Sequence, residues 1–121
     1  SGRAETYGQR IMILLTDGLA NVAGGSSYGN PSSDISVEFC GQTVQCRLYQ
    51  EVVDAIEAQT LRAKNNGIRI YTVSFGSGAD QDLMPLIAQE TGGAYYYAAN
   101  HESLTDIFVD IFYNLPAILT H

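Results

Sequence analysis

A chain of 121 residues is long enough for one domain with a single core. With 45% hydrophobic and 16% charged residues, its composition is globular and excludes a disordered chain. The net charge is −7, and Ile70 to His121 holds six acids and no Lys or Arg, which disfavours nucleic acid and anionic membrane surfaces as partners, because both need clustered cations. No apolar run approaches the ~20 residues of a transmembrane helix.

Arg10–Thr16 opens the ordered pattern. Five apolar residues, Ile11 to Leu15, stop abruptly at Thr16-Asp17-Gly18. Such a run predicts a strand buried on both faces, as in a parallel sheet covered by helices. The next segment, residues 19–47, is rich in Gly, Ser and Asn and lacks clear periodicity. It reads as one long loop, and loops beyond about 12–15 residues are usually functional or mobile. Leu48 to Asn65 follows as a helix with Leu48, Val52, Ala55, Ile56 and Ala63 on one side and Gly67 as its stop. Ile68–Phe75 is β-branched and aromatic, a second strand closed by Gly76-Ser77-Gly78. Asp82 to Thr91 is a short helix with Asp80 or Asp82 as cap and Pro85 in its first turn. Ala94 to Ala98 is a third strand. In the last helix Leu104, Ile107, Phe108, Ile111, Phe112 and Leu115 form one apolar stripe that ends at Pro116. Ser103-x-x-Asp106 offers it a capping box, with Asn100 as the competing start. Strands separated by helices predict parallel pairing with right-handed crossovers.

Asp17 stands where open α/β sheets bind ligands, outside the carboxyl end of a strand. Taken alone, an Asx-type turn with Gly18 is the commoner use of such a residue. The functional reading is a ligand for a hard cation, but one carboxylate cannot meet a demand for about six oxygens. Gly76-Ser77-Gly78-Ala79-Asp80-Gln81 fails the dinucleotide pattern at Gln81, and no G-x-x-x-x-G-K-[ST] exists, so it reads as a turn. Tyr95, Tyr96 and Tyr97 alternate faces, with packing favoured over recognition. His101 and His121 are the only histidines, and no G-x-S-x-G is present, so a hydrolytic triad is not expected. Cys40 and Cys46 are two unrelated thiols or a disulfide. Cysteine in a polar loop is unusual unless paired or reactive, so a Cys40–Cys46 bond is expected in oxidising conditions. Zinc is not, because C-x5-C lacks two further ligands.

In order, Ile11-Met-Ile-Leu-Leu-Thr-Asp-Gly18, Ala63-Lys-Asn-Asn-Gly-Ile-Arg-Ile-Tyr-Thr-Val-Ser-Phe-Gly76, Leu83–Gly93 running into Ala94-Tyr-Tyr-Tyr97, and the helix Leu104–Phe112 resemble the von Willebrand factor A domain, in particular bacterial members of surface or pilus-associated proteins. The resemblance implies a doubly wound, Rossmann-like parallel sheet with a metal-ion-dependent adhesion site. That site uses a D-x-S-x-S loop, a Thr loop and the Asp of a T-D-G-like junction. Only the last is matched, at Asp17. Asp34-Ile-Ser36-Val-Glu38 ends in Glu38 and lies on the wrong side of Asp17, so the chain resembles the C-terminal half of the family domain, with three parallel strands and helices.

The resemblance implies a fragment of a non-catalytic protein-binding, cell-adhesion module at a bacterial surface. Its parent would use Mg²⁺ or Mn²⁺ to engage a protein ligand. With Asp17 as an incomplete metal site, the fragment itself is expected to bind no cation. The alternatives are a structural pilus or cell-envelope component with a vestigial metal site, and a Mg²⁺-dependent phosphohydrolase on a similar sheet. The hydrolase would want further carboxylates and a cation on the phosphate. No nucleic acid and no membrane contact are expected. Arg10–Thr16 is expected to pair with a second copy or with a retained N-terminal half.

Overall fold

The computed structural model describes residues 10–17, 22–23, 26–27, 29–76 and 82–113. The elements run β1 Arg10–Thr16, β2 Val22–Ala23, β3 Ser26–Ser27, β4 Ile35–Phe39, β5 Gln42–Cys46, α1 Gln50–Asn65, β6 Ile68–Phe75, α2 Met84–Thr91, β7 Tyr95–Ala98 and α3 His101–Tyr113. The fold is α/β, built on a three-stranded, all-parallel sheet in the order β1-β6-β7.

Alternation along the strands sorts the side chains onto two faces. The register sets Met12 beside Ile70 and Leu14 beside Thr72, with Tyr95 next across. This face packs Ile70 and Tyr95 against α1 and α2 through Val53, Ala63, Leu83, Met84 and Ile87. The opposite face sets Ile13, Tyr71, Val73, Phe75, Tyr96 and Ala98 against Leu104, Ile107, Phe108 and Ile111 of α3. Leu104, Ile107, Phe108 and Ile111 of the stripe foreseen for α3 are therefore its packing face, whereas Phe112 is 61% exposed. Pro116 and Leu115 lie outside the described residues, as do His121 and residues 18 and 77–81 of the two expected turns.

Backbone chemistry fixes the join between α2 and β7. Gly92 closes α2 in a left-handed conformation. The Ile70 N–H donates to Thr91 Oγ1 at 2.8 Å, one step before the β6–β7 ladder begins. Thr91 thus satisfies a β6 donor that β7 does not reach. Gly93 then passes so close to β6 that a Cβ there would overlap the Ile70 carbonyl. In α1, Asn66 is the C-cap and Gly67 follows at φ 72°, the stop the sequence signals.

Two expectations about residues 19–47 need correction. Residues 19–47 are not one irregular loop. They contain the β2–β3 pair and an antiparallel hairpin, β4–β5, whose Val37, Phe39 and Cys46 enter the core. Cys40 and Gly41 form its turn at φ 49° and 82°, positive at both central residues as a type I′ turn requires. That geometry also overturns the disulfide, since Cys40 and Cys46 are not bonded to each other. Cys40 is at the hairpin tip, whereas Cys46 pairs with Ile35 at its far end. Four strand steps from Gln42 to Cys46 span roughly 14 Å, and a disulfide tolerates at most about 7 Å between Cα atoms.

The helix caps differ as well. Asn100 Oδ1 accepts from the Ser103 N–H at 2.8 Å, so α3 starts at the competing position and not at a Ser103–Asp106 box. Leu83 holds the N-cap position of α2 with no side-chain capping bond, so Asp82 is not the cap. Asp80 lies outside the described residues. Pro85 is in the first turn as expected.

Candidate functional site

The described residues offer two features on one strand: the carboxyl end of β1 and its outer edge. Parallel pairing brings the ends of three strands together. Thr16 pairs with Ser74 and Ser74 with Tyr97, so Asp17, Phe75 and Ala98 are level. The Gly76 N–H donates to the Ala98 carbonyl at 2.9 Å and holds the β6 and β7 ends together. The His101 ring lies on Phe75, with centroids 5.2 Å apart, and is otherwise exposed. It is placed by packing, with no carboxylate or nucleophile shown on it.

Asp17 is exposed at this rim. Among the described residues, no group of three or more His, Cys, Asp or Glu side chains could hold a metal ion. One carboxylate offers a hard cation one or two of about six oxygens. Among the described residues the donors do not fit Mg²⁺ or Mn²⁺.

The outer edge of β1 is more distinctive. The five-residue apolar run is not buried on both faces: Met12 is 45% exposed, Leu14 38% and Leu15 47%. Within the described residues β6 is its one strand partner. Beside β1, on the α1 face, lies an open groove of about 590 Å³, lined by Met12, Leu14, Ala55, Ile56, Gln59, Ala63 and Ile87 among others. The flank of α1 that walls it is apolar apart from Gln59 and Thr60, and Ala55 and Ala63 belong to the one side of the helix that the sequence marks as apolar. A covered apolar strand and an uncovered one have the same sequence signal, so the groove could not be read from it.

The hairpin is held to α1 by side chains. Gln50 donates from Nε2 to the Glu38 carbonyl at 2.9 Å and accepts the Glu38 N–H on Oε1 at 2.8 Å. The amide therefore pairs with β4 much as a strand backbone would. Glu57 accepts the Cys40 N–H at 2.9 Å. Burial pushes the Cys40 thiol up to about 11 from 9.0, with the Glu90 and Glu57 carboxylates adding to the effect. A thiol so raised is a poor nucleophile. Lys64 bridges to Glu90 at 2.8 Å and ties α1 to α2. On the rear face Tyr96 donates to Asp110 at 3.0 Å, while Tyr97 is exposed.

No protein-family model and no curated protein matches the sequence. The chain is similar to the crystal structure of an uncharacterised membrane-spanning protein from Vibrio fischeri, at 28% identity and a TM-score of 0.59 over 89% of this chain. It spans 48% of that protein's length.

Proposed function

We propose that this chain is the C-terminal part of a von Willebrand factor A-type binding module, non-catalytic, that engages protein. The observation that carries the reading is β1. Three of its five apolar residues are exposed, and two of them, Met12 and Leu14, line an open apolar groove along the strand. Small-molecule sites are concave and carry a few convergent polar groups. Here the wall is aliphatic apart from Gln59 and Thr60. Asp17 is exposed just past the carboxyl end of the same strand. A cation serving the parent domain would need its other ligands from beyond the described residues.

The similarity to a membrane-spanning bacterial protein supports a place at the cell envelope, on an extracellular or surface-exposed segment. It also favours a second reading, a structural envelope or pilus component that uses this surface for assembly. Among the described residues no helix is long and apolar enough to cross a membrane. A Mg²⁺-dependent phosphohydrolase is the weakest reading, because no Lys or Arg follows Arg69 to meet a phosphate.

Selection from a displayed peptide library, followed by ¹⁵N shift mapping on this chain, tests the proposal. Shifts are expected along Ile11–Asp17 and the facing flank of α1. Turnover of a phosphomonoester with Mg²⁺, abolished by Asp17→Asn, would instead establish the hydrolase.

A further inference from the structure

We infer that Asn66 is a site of modification: its side-chain amide deamidates through the backbone nitrogen of Gly67, at a rate set by fraying of the last turn of α1. Asn66-Gly67 is the one Asn-Gly pair in the chain. The site is independent of the binding reading.

The junction between α1 and β6 needs both residues for its shape. Asn66 is the C-cap of α1, at φ −99° and ψ 10°, and Gly67 follows at φ 72°. A left-handed residue after a helix is most often glycine, because a Cβ is strained in that conformation. Open space surrounds Gly67, so the backbone angle and not crowding demands glycine. Asn66 Nδ2 donates to the Arg62 carbonyl at 2.7 Å and satisfies an acceptor that the helix end leaves without an intrahelical partner. The same pair of residues is reactive. Glycine has no side chain to keep its nitrogen away from the Asn66 side-chain carbonyl, and both residues are exposed to water. Asparagine is among the thermolabile residues for this reason.

The Gly67 nitrogen gives up its proton and bonds to Asn66 Cγ. The Cγ–Nδ2 bond breaks, ammonia leaves, and a five-membered imide closes. Water then opens the ring. Cleavage at Cγ leaves aspartate, and cleavage at the backbone carbonyl leaves isoaspartate, with the chain running through Cβ. The balance is one water in and one ammonia out, with no change of oxidation state. In the folded chain both reacting groups are held. The Gly67 N–H donates to the Lys64 carbonyl at 3.1 Å, and Nδ2 is bound to Arg62. These bonds belong to the end of a helix, which opens at small cost while the sheet stays intact.

The products undo the junction. A carboxylate oxygen replaces the Nδ2 donor and faces the Arg62 carbonyl, at the negative end of the helix dipole. Isoaspartate also lengthens the backbone by one carbon, with only Gly67 between it and Ile68, where β6 begins its register against Arg10. The Asn66 N–H donates to the carbonyl of Ala63, which lines the groove beside β1. Modification therefore loosens the turn that holds one end of the groove wall.

The 121-residue chain, held at mildly alkaline pH either folded or in urea and then digested with trypsin, tests the site. Cleavage after Lys64 and Arg69 releases Asn65–Arg69. Tandem mass spectrometry should locate the replacement of NH₂ by OH at Asn66, divided between aspartate and isoaspartate forms. The folded rate should be at least about tenfold below the rate in urea, because the turn must open first. Lys64→Gly, at an exposed position of that turn, should raise the folded rate about fivefold and leave the urea rate unchanged. Its tryptic peptide is Ala63–Arg69. Equal rates in the folded chain and in urea, an Asn66 that stays intact in urea, faster conversion of another Asn in the folded chain, or a folded Lys64→Gly chain that never converts would each overturn the assignment.

Discussion

β1 and β6 lie side by side in one parallel register, and the more apolar of the two is the less buried. Ile11 to Leu15 has no polar residue, yet Met12, Leu14 and Leu15 are all more than a third exposed. β6 contains Arg69, Thr72 and Ser74, and Ile70, Thr72, Val73 and Ser74 are buried. β6 has a strand on each side and a helix on each face. Among the described residues, β1 has β6 on one side and no strand on the other. Burial follows neighbours. Thr72 tolerates it because its hydroxyl donates to the Met84 carbonyl at 2.8 Å. Hydrophobicity states what a strand needs, and the sheet order decides whether this chain supplies it.

That comparison can be broken from the β6 side first. Gly93→Ala forces a methyl group into the Ile70 carbonyl of β6. Urea unfolding should show a loss of about 3 kcal/mol, near the upper range for overpacking. A loss below about 1 kcal/mol would mean that β7 can shift away from β6. Val73→Ala should cost about 2–3 kcal/mol, since Val73 is fully buried under α3. Leu15→Ala, one position across the sheet and 47% exposed, should cost less than about 1 kcal/mol when measured in dilute, unassociated chain. Equal losses at the two sites would show that something covers β1 even in the isolated chain.

The hairpin sharpens the same contrast, because it is fastened to α1 by side chains and not by a ladder. Gln50→Ala removes both bonds to Glu38 and should cost roughly 1–2 kcal/mol. Amide exchange should accelerate in β4 and β5 and stay unchanged in β6. Faster exchange in β6 would mean that hairpin and sheet open as one unit. The smallest expected effect is on pH. The Cys40 thiol is held at about 11 in the fold against an ordinary 9.0. Its neutral form is favoured by folding, so this contribution is intact below pH 9 and fades as pH rises from about 9 to 11. Cys40→Ser should flatten that decline in urea midpoints. Fast alkylation of Cys40 at pH 8 in the folded chain would contradict the raised value.

Much of the fold was legible because local chemistry announces it. β1 and β6 begin and end where their apolar runs and Gly76 place them, and α1 stops before Gly67. The stripe on α3 from Leu104 to Ile111 became its packing face. The hairpin was missed although Ile35, Val37 and Phe39 alternate and a Cys-Gly pair sits at the turn. Its polar composition concealed a period of two, and Phe39 is buried only because α1 lies against it. The Cys40–Cys46 bond failed for the same reason, since proximity in sequence says nothing about which end of a hairpin each residue occupies.

Sequence alone determined the order of the three sheet strands and the three helices, the parallel sheet and the position of Asp17 at a strand's carboxyl end. These follow from residue period and turn chemistry, which act over a few residues. Tertiary structure alone decided that an apolar groove opens beside β1 and that Gln50 and Glu57 pin the hairpin. Those depend on which elements become neighbours, and a strand's side chains carry no record of whether its neighbour is present.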